Sequence, residues 1–302
     1  MIDVLLASYN GDRYIAEQID SILAQTLDAW RLLIRDDAST DKTVAIIKAY
    51  QEKHPDKILL LESPVNSGSP VSNFGSLIAQ ATQEYVVTCD QDDVWFPDKL
   101  EKSLRRMQEE ESLYPDAPVL LHTDAKVVDP LLSLVEPSLT RRLHLDMSRY
   151  QLRHLLVQNI VTGSTMMLNR KLYTNVKGFP PHTIMHDWWL ALLACATGRI
   201  VYLDEPTILY RQHDNNVVGI PSPASYYRLR KKASLVRASY AQASDLLQAV
   251  QKDPLVQASD LAMIEAYAQM VDQPKWKRMR LLLHYGWWKN TWIRRIGQLF
   301  LC

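Results

Sequence analysis

Three times in its first 93 residues the chain leaves a short apolar run and enters a cluster of acidic, amide or hydroxyl side chains, and this junction restricts the fold more than any other feature. Val4-Leu5-Leu6-Ala7 leads into Ser8-Tyr9-Asn10, Arg31-Leu32-Leu33-Ile34 into Asp36-Asp37, and Tyr85-Val86-Val87-Thr88 into Asp90-Gln91-Asp92-Asp93. Helical periodicity fills the gaps: Ile15, Ile19, Ile22 and Leu23 share one helix face, and Val44, Ile47 and Tyr50 share another after Thr40. Apolar runs at 58–61 and 119–121 predict further strands, with helices near 74–81 and 100–107. Short buried strands alternating with amphipathic helices predict an α/β fold, a mostly parallel sheet flanked by helices. In such sheets ligands bind beyond the carboxyl ends of the strands, so the three polar clusters should converge on one crevice.

Residues 126–220 read as mixed, with a loop at 129–146 and a strand at 165–168. Beyond them Leu229, Ala233, Val236, Tyr240, Ala243, Leu247 and Val250 recur at helical spacing, a second helix is expected after Pro254, and Pro274 opens a third. The expected division is therefore a catalytic domain over 1–220 and a helical extension over 221–302.

Charge follows the same division. The 302 residues carry 34 cations and 34 anions, but 221–302 hold 13 Lys and Arg against 5 Asp and Glu. An acidic first part suits a cation, and a basic tail suits an anionic surface. No nucleic-acid reader motif is present, so nucleic acid is not the expected partner. Cys89, Cys195 and Cys302 are scattered, without metal or disulfide spacing, which points to a reducing cytoplasm. The chain shows no signal-peptide pattern and no apolar window of about 20 residues, so it is expected to be soluble or attached to a membrane surface.

Asp90, Asp92 and Asp93 crowd three carboxylates into four positions, an arrangement whose repulsion a hard divalent cation such as Mg²⁺ or Mn²⁺ relieves, with phosphate and water completing its shell. The plain alternative is a solvated turn capping the helix that starts near Pro97. Asp37 could accept hydrogen bonds from a nucleobase or ribose, while Ser39, Thr40 or Asp41 could cap the next helix. Asp187, in His186-Asp187-Trp188-Trp189, sits at an expected helix start where the helix dipole favours an ionised carboxylate. Trp188 and Trp189 could be core or a platform for an acceptor sugar. Tyr210-Arg211-Gln212-His213-Asp214-Asn215-Asn216 packs a cation, an imidazole and amides into one loop; His213 could ligate a metal and Arg211 could offset diphosphate charge. In the tail, Trp276, Trp287, Trp288 and Trp292 alternate with Lys and Arg, and no acid interrupts 273–302. That pattern suits the headgroup layer of an anionic bilayer; the alternative is packing on the catalytic domain or on a second subunit.

Taken in order, Ser8-Tyr9-Asn10, Asp36-Asp37-Ala38-Ser39-Thr40-Asp41 and Asp90-Gln91-Asp92-Asp93-Val94-Trp95 resemble the motifs of family-2 inverting glycosyltransferases with the Rossmann-like GT-A fold, over roughly residues 2–215. The resemblance implies a nucleotide-sugar donor seated by Ser8, Tyr9, Asn10, Asp37, Asp92 and Arg211, and a divalent metal (Mg²⁺ or Mn²⁺) held by Asp92, Asp93 and His213. It further implies that Asp187 is the base that deprotonates an acceptor hydroxyl. Thr162-Gly163, with Trp188 and Trp189, would form the acceptor side, the acceptor being a saccharide or a lipid-linked saccharide. The phrases around Trp95, His186–Trp189 and 210–216 look most like bacterial rhamnosyltransferases of surface polysaccharide assembly, which suggests dTDP-rhamnose. The rivals are a sugar nucleotidyltransferase, although Ser8-Tyr9-Asn10-Gly11 lacks that class's basic Gly-rich loop, and a non-catalytic nucleotide-sugar-binding module. A dehydrogenase is not expected, because no GxGxxG follows the first strand.

Overall fold

The structure is a computed structural model and describes residues 1–213 and 229–301. Strand β1 (Ile2–Ser8) is buried on both faces, as the central strand of a parallel sheet must be. It pairs in parallel with β2 (Trp30–Asp36) and with β4 (Tyr85–Asp90), and β3 (Ile58–Glu62) adds in parallel to β2. The register aligns Ser8 with Asp36 and Ala7 with Asp90. Because the four strands run one way, all three polar clusters leave the same edge of the sheet.

Side-chain alternation along β1 builds two cores. Ile2, Val4 and Leu6 point to one face, which is covered by α1 (Ile15–Leu23), α2 (Thr43–Lys53) and α4 (Lys99–Leu113). Leu5 points to the other, covered by α3 (Pro70–Gln80) and α8 (His186–Thr197). Past β4 the sheet becomes mixed: β8 (Met166–Asn169) lies antiparallel between β4 and β6 (Val119–Val128). The long strand β9 (Arg199–Arg211) runs parallel to β6, and its end pairs with the two-residue β5 (Val94–Trp95) beside the acidic cluster.

The segment 129–146, expected as a loop, contains β7 (Leu134–Glu136) and the one-turn α5 (Leu139–Arg142). Buried Asp124 organises it, accepting hydrogen bonds from the Ser138 hydroxyl and the Thr140 N–H. Two more single-turn helices, α6 (Leu152–Leu155) and α7 (Arg170–Tyr173), are likewise too short to leave a periodic signature.

The extension forms α9 (Leu229–Val250), α10 (Ala258–Ala268), α11 (Lys275–Tyr285), whose N-cap is Pro274, and α12 (Trp292–Leu301), a fourth helix beyond the three expected. Of its expected seam, Tyr240, Ala243 and Val250 join Ile264, Tyr267 and Trp287 in the same core as Trp188 and Leu190, and Val236 and Leu247 pack half-buried against it. Tyr267 meets Tyr240 and Trp287 edge to face, with ring centroids 5.0 and 4.9 Å away. The helices after residue 228 are thus continuous with the face that α8 covers. Among the described residues no helix is long and apolar enough to cross a membrane.

Candidate active site

The first two strand-end loops are knitted to each other before any ligand is considered. The Ser8 hydroxyl donates to Asp36, and its carbonyl accepts the Asp37 N–H. Asp36 also takes the Ser39 N–H and hydroxyl at 2.8 and 2.6 Å. Asn10 sits at φ +46° and Ala38 at φ +61°, left-handed backbone that a non-glycine residue adopts only when its neighbours hold it there. The restraint on Asn10 is visible: its N–H donates to Ser39, and its side-chain carbonyl accepts the Thr40 N–H. Asp41, one of the residues expected to cap the next helix, accepts the Thr43 N–H in the first turn of α2. Ser8, expected as a donor contact, is wholly buried with hydroxyl and carbonyl both taken, so its side chain braces β1 against β2 instead. Tyr9 and Asn10 are exposed at the rim. Asp37 lies beneath them, its carboxylate held by Arg35 at 3.0 Å and by the N–H and hydroxyl of Ser67. The 66–69 turn is therefore folded onto Asp37.

Gln91 connects this wall to the acidic cluster. Its amide pairs with the Tyr9 backbone in both directions, at 2.9 and 3.0 Å. Gly11 permits the approach, since a Cβ there would stand 2.3 Å from the Gln91 carbonyl oxygen. In the sequence Gln91 looks like a spacer between aspartates.

The end of β9 closes the cluster from the other side. The Arg211 N–H donates to Asp93 at 3.1 Å, and the His213 ring nitrogen Nε2 lies 2.9 Å from Asp92 Oδ2. Tyr14, unmarked in the sequence, stacks on His213 at 4.9 Å and lies under the Arg211 guanidinium at 4.4 Å. Two expectations change here. Arg211 is 2% exposed, and its guanidinium donates to the carbonyls of Asp92 and Pro130 and pairs with Glu17, so it clamps the cluster rather than facing a diphosphate. Asp93 is wholly buried, beside the Ser164 hydroxyl, and anchors β9 rather than opening to the crevice as a metal ligand. Residues 214–216 of this loop lie outside the described residues.

The electrostatics of the cluster follow from burial and crowding. Asp90 is pushed up to about 7 by burial, then by Asp92 and Asp187. Burial raises Asp92 as well, opposed by His213 and Arg211, and raises Asp93 further with the help of Asp92 and Asp90. Buried Lys99, over the Trp95 ring at 4.7 Å, is lowered to about 8 by its own burial and lies within electrostatic reach of Asp93. It supplies a cation behind the cluster that the sequence hides among ordinary helix lysines.

Asp187 stands in the first turn of α8, where the Trp188 N–H reaches its carboxylate at 2.6 Å and Gly163 and Asn159 add hydrogen bonds. Burial nonetheless pushes it up to about 7. The Gly163 loop is tied to β4 by the Thr88 hydroxyl and packs so tightly that a Cβ on Gly163 would meet His186 Nε2 at 2.9 Å. His186 is itself buried, stacked on Phe74 at 4.0 Å and lowered by burial to about 3, so its ring is neutral. Thr162, half-buried, borders this loop. Trp188 and Trp189 are not an acceptor platform: at 5% and 2% exposure they are core, with the Trp188 indole N–H bonded to the Leu155 carbonyl.

Tyr210 is raised above the usual tyrosine range by burial first and then by the charges of Asp93, Asp90, Asp92 and Asp187, so all four carboxylates lie within electrostatic reach of one ring. Among the described residues no three His, Cys, Asp or Glu converge as a ready metal cage. Asp92 with His213 offers one carboxylate oxygen and one imidazole nitrogen, a set that suits a divalent cation whose remaining ligands come from diphosphate and water.

Comparison with known proteins bears on the family and the fold. The family model described as Glycosyl transferase family 2 matches residues 3–176, which include all three strand-end loops and Gly163. The dTDP-rhamnosyl transferase RfbG of Shigella flexneri is 30% identical over 238 residues, covering 74% of this chain and 78% of that protein. Two solved structures share the fold. TarS 1–349 of S. aureus in complex with UDP has a TM-score of 0.57 at 17% identity, covering 93% of this chain and 74% of that one. The mannosyltransferase PcManGT of Pyrobaculum calidifontis, in complex with GDP-Man and Mn²⁺, has a TM-score of 0.59 at 20% identity, covering 93% and 73%. At such identities the likeness is one of fold, and the fold is GT-A.

Proposed function

Because the chain belongs to glycosyl transferase family 2, we propose that it moves a sugar, with inversion, from a nucleotide-sugar donor to a hydroxyl of a saccharide or lipid-linked acceptor in cell-surface polysaccharide synthesis. The donor we favour is dTDP-rhamnose, the activated sugar in the name of the Shigella flexneri relative. The observation that carries the reading is the His213 imidazole on Asp92 at the acidic end of β4, with Asp187, held at the start of α8 by Gly163 and Asn159, within electrostatic reach of Asp90. A sugar nucleotidyltransferase would want a basic Gly-rich loop after β1, which Ser8-Tyr9-Asn10-Gly11 does not supply.

In this reading Tyr9, Asn10 and Asp37 line the donor side, and Thr162 and Gly163 line the acceptor side next to Asp187. Asp187 takes the proton from the acceptor hydroxyl as that oxygen bonds to the anomeric carbon and the bond to the diphosphate oxygen breaks. A raised carboxylate is a stronger base than an exposed one, so the burial that costs Asp187 its charge also fits it to the task. Asp92 and His213 would hold a divalent cation, which when bound would supply positive charge to offset that of the departing nucleoside diphosphate. Arg211, Asp93 and Lys99 act at one remove, fixing the backbone and the charge around Asp92. The cytoplasm, where nucleotide sugars are made, is the compartment that goes with this activity.

The test is a screen of nucleotide sugars for release of nucleoside diphosphate by the purified full chain, with Mn²⁺, with Mg²⁺ and with chelator. Cation-dependent release from dTDP-rhamnose above other donors is expected. No release from any donor, with saccharide acceptors supplied, would overturn the enzyme reading.

A further inference from the structure

Helix α12 is amphipathic with its apolar side turned out. Trp292, Ile293 and Ile296, neighbours on one helix face, are 69%, 61% and 45% exposed. The side against the protein puts Leu299 on the core and is otherwise polar: buried Gln298 donates to the Trp287 carbonyl at 2.6 Å and accepts the Lys289 N–H at 3.2 Å. Arg294 donates to the Leu143 carbonyl, and Arg295 to that of Lys289, both at 2.9 Å. A helix docked for stability alone would bury tryptophan and isoleucine and leave arginine outside. Trp276 on α11 is likewise 68% exposed, whereas Trp287 is buried and stacks on Tyr285 at 4.7 Å. The four tail tryptophans thus divide: Trp287 and Trp288 pack on the protein, and Trp276 and Trp292 face solvent.

The mount is firm. Arg149 donates to the Trp288 carbonyl, the Asp146 N–H to Asn290 at 3.1 Å, and the Asn290 N–H to Gln158 at 3.0 Å. These anchors belong to the segment that runs into the Gly163 loop, so the outward face of α12 is fixed relative to the acceptor side.

We propose that α12, with Trp276 of α11, seats the protein on an anionic lipid surface. Residues 273–302 carry seven Lys and Arg and no Asp or Glu. Exposed indole and aliphatic side chains flanked by cations match the boundary between acyl chains and anionic headgroups, where the rings enter the interface and the cations stay with phosphate. A second copy of the chain fits the same face less well, because a two-fold contact there would bring together two tails that each carry seven Lys and Arg and no Asp or Glu. This surface does not depend on which sugar is transferred, and its test reads binding rather than turnover.

The experiment is flotation of the full chain with vesicles of phosphatidylcholine alone and of phosphatidylcholine with about one third phosphatidylglycerol, alongside the triple variant Trp292→Ser, Ile293→Ser, Ile296→Ser. These side chains are exposed, so the variant should keep the wild-type melting temperature. The full chain is expected to float with the anionic vesicles and not with the neutral ones, to bind less as salt rises, and to lose at least about tenfold in vesicle affinity in the triple variant. Equal flotation of variant and wild type would overturn the assignment. So would a lipid-free dimer in light scattering that the triple substitution dissolves, since the face would then belong to a second copy.

Discussion

His213 Nε2 lies 2.9 Å from Asp92 Oδ2 across 121 positions of sequence, because β9 returns along β6 and ends against β5 beside the acidic cluster. The pair joins a carboxylate oxygen and an imidazole nitrogen, with Tyr14 stacked on the imidazole. Its consequences can be measured.

Loss of either member should weaken the response to metal. His213→Ala is expected to raise the Mn²⁺ concentration for half-maximal turnover by about 10- to 100-fold, and Asp92→Asn to abolish turnover at ordinary Mn²⁺ concentrations. An imidazole ligand also favours Mn²⁺ over Mg²⁺ at equal concentration. Metal titrations of nucleoside diphosphate release read both effects, and an unchanged activation curve for His213→Ala would remove the histidine from the site.

The raised Asp187 carboxyl sets a pH dependence of two opposite signs. As a base it works ionised, so kcat/KM should climb with pH along a limb near 7 and level off above it. Stability runs the other way. Folding lifts this group from 3.8 to about 7, so between those values the folded chain holds a proton that the unfolded chain has released. The stability this group contributes is full below about 4 and lost as pH climbs to about 7. Asp187→Asn, which has no charge to bury, should therefore melt a few °C higher than wild type at pH 8 and gain less at pH 5. Melting curves at the two pH values decide it; a lower melting temperature at pH 8 would contradict the burial argument.

Gly163→Ala tests how the acceptor loop is seated on α8. The added Cβ would stand 2.9 Å from a histidine ring that is itself wedged on Phe74, so the loop or His186 must shift, with Asp187 beside them. A stability cost of about 1–3 kcal/mol is expected. If the loop lines the acceptor side as proposed, kcat should fall by about tenfold or more while the donor KM holds. A changed donor KM with unchanged kcat would show that the loop faces the other substrate.

Arg211→Lys asks whether the guanidinium clamps the fold or meets the donor. A lysine cannot reproduce the fork that reaches the Asp92 and Pro130 carbonyls and Glu17 at once, and the loss should cost about 1–3 kcal/mol. Chemical denaturation measures this directly. Full stability together with a weakened donor KM would restore Arg211 to the diphosphate.

What the sequence disclosed and what it concealed divide along a physical line. Parallel strands rich in Val, Ile and Leu, ending in Ser8, Asp36 and Asp90, announce both the sheet and the edge at which the site lies, because strand period and crossover geometry are local rules. Orientation of single side chains is not local. Arg211 turns inward because main-chain carbonyls of Asp92 and Pro130 await it, and nothing in Tyr210-Arg211-Gln212-His213 records those acceptors. Trp188 and Trp189 lie in the core that α9 and α10 help to build, and those helices begin some 40 and 70 positions later. Gln91 becomes a bridge only because Gly11, 80 residues earlier, leaves room for it. In α12 the apolar spacing is legible but its direction is not, since Gln298 and Arg294 find carbonyl partners on segments the helix itself does not contain.

The central claim is that Asp187 is the base facing a donor held at Asp92, and Asp187→Asn tests it most directly. Donor affinity measured by calorimetry alongside transfer to a saccharide acceptor should show binding within about twofold of wild type and transfer reduced by about 100-fold or more. Transfer at the wild-type rate, with donor binding intact, would contradict the account.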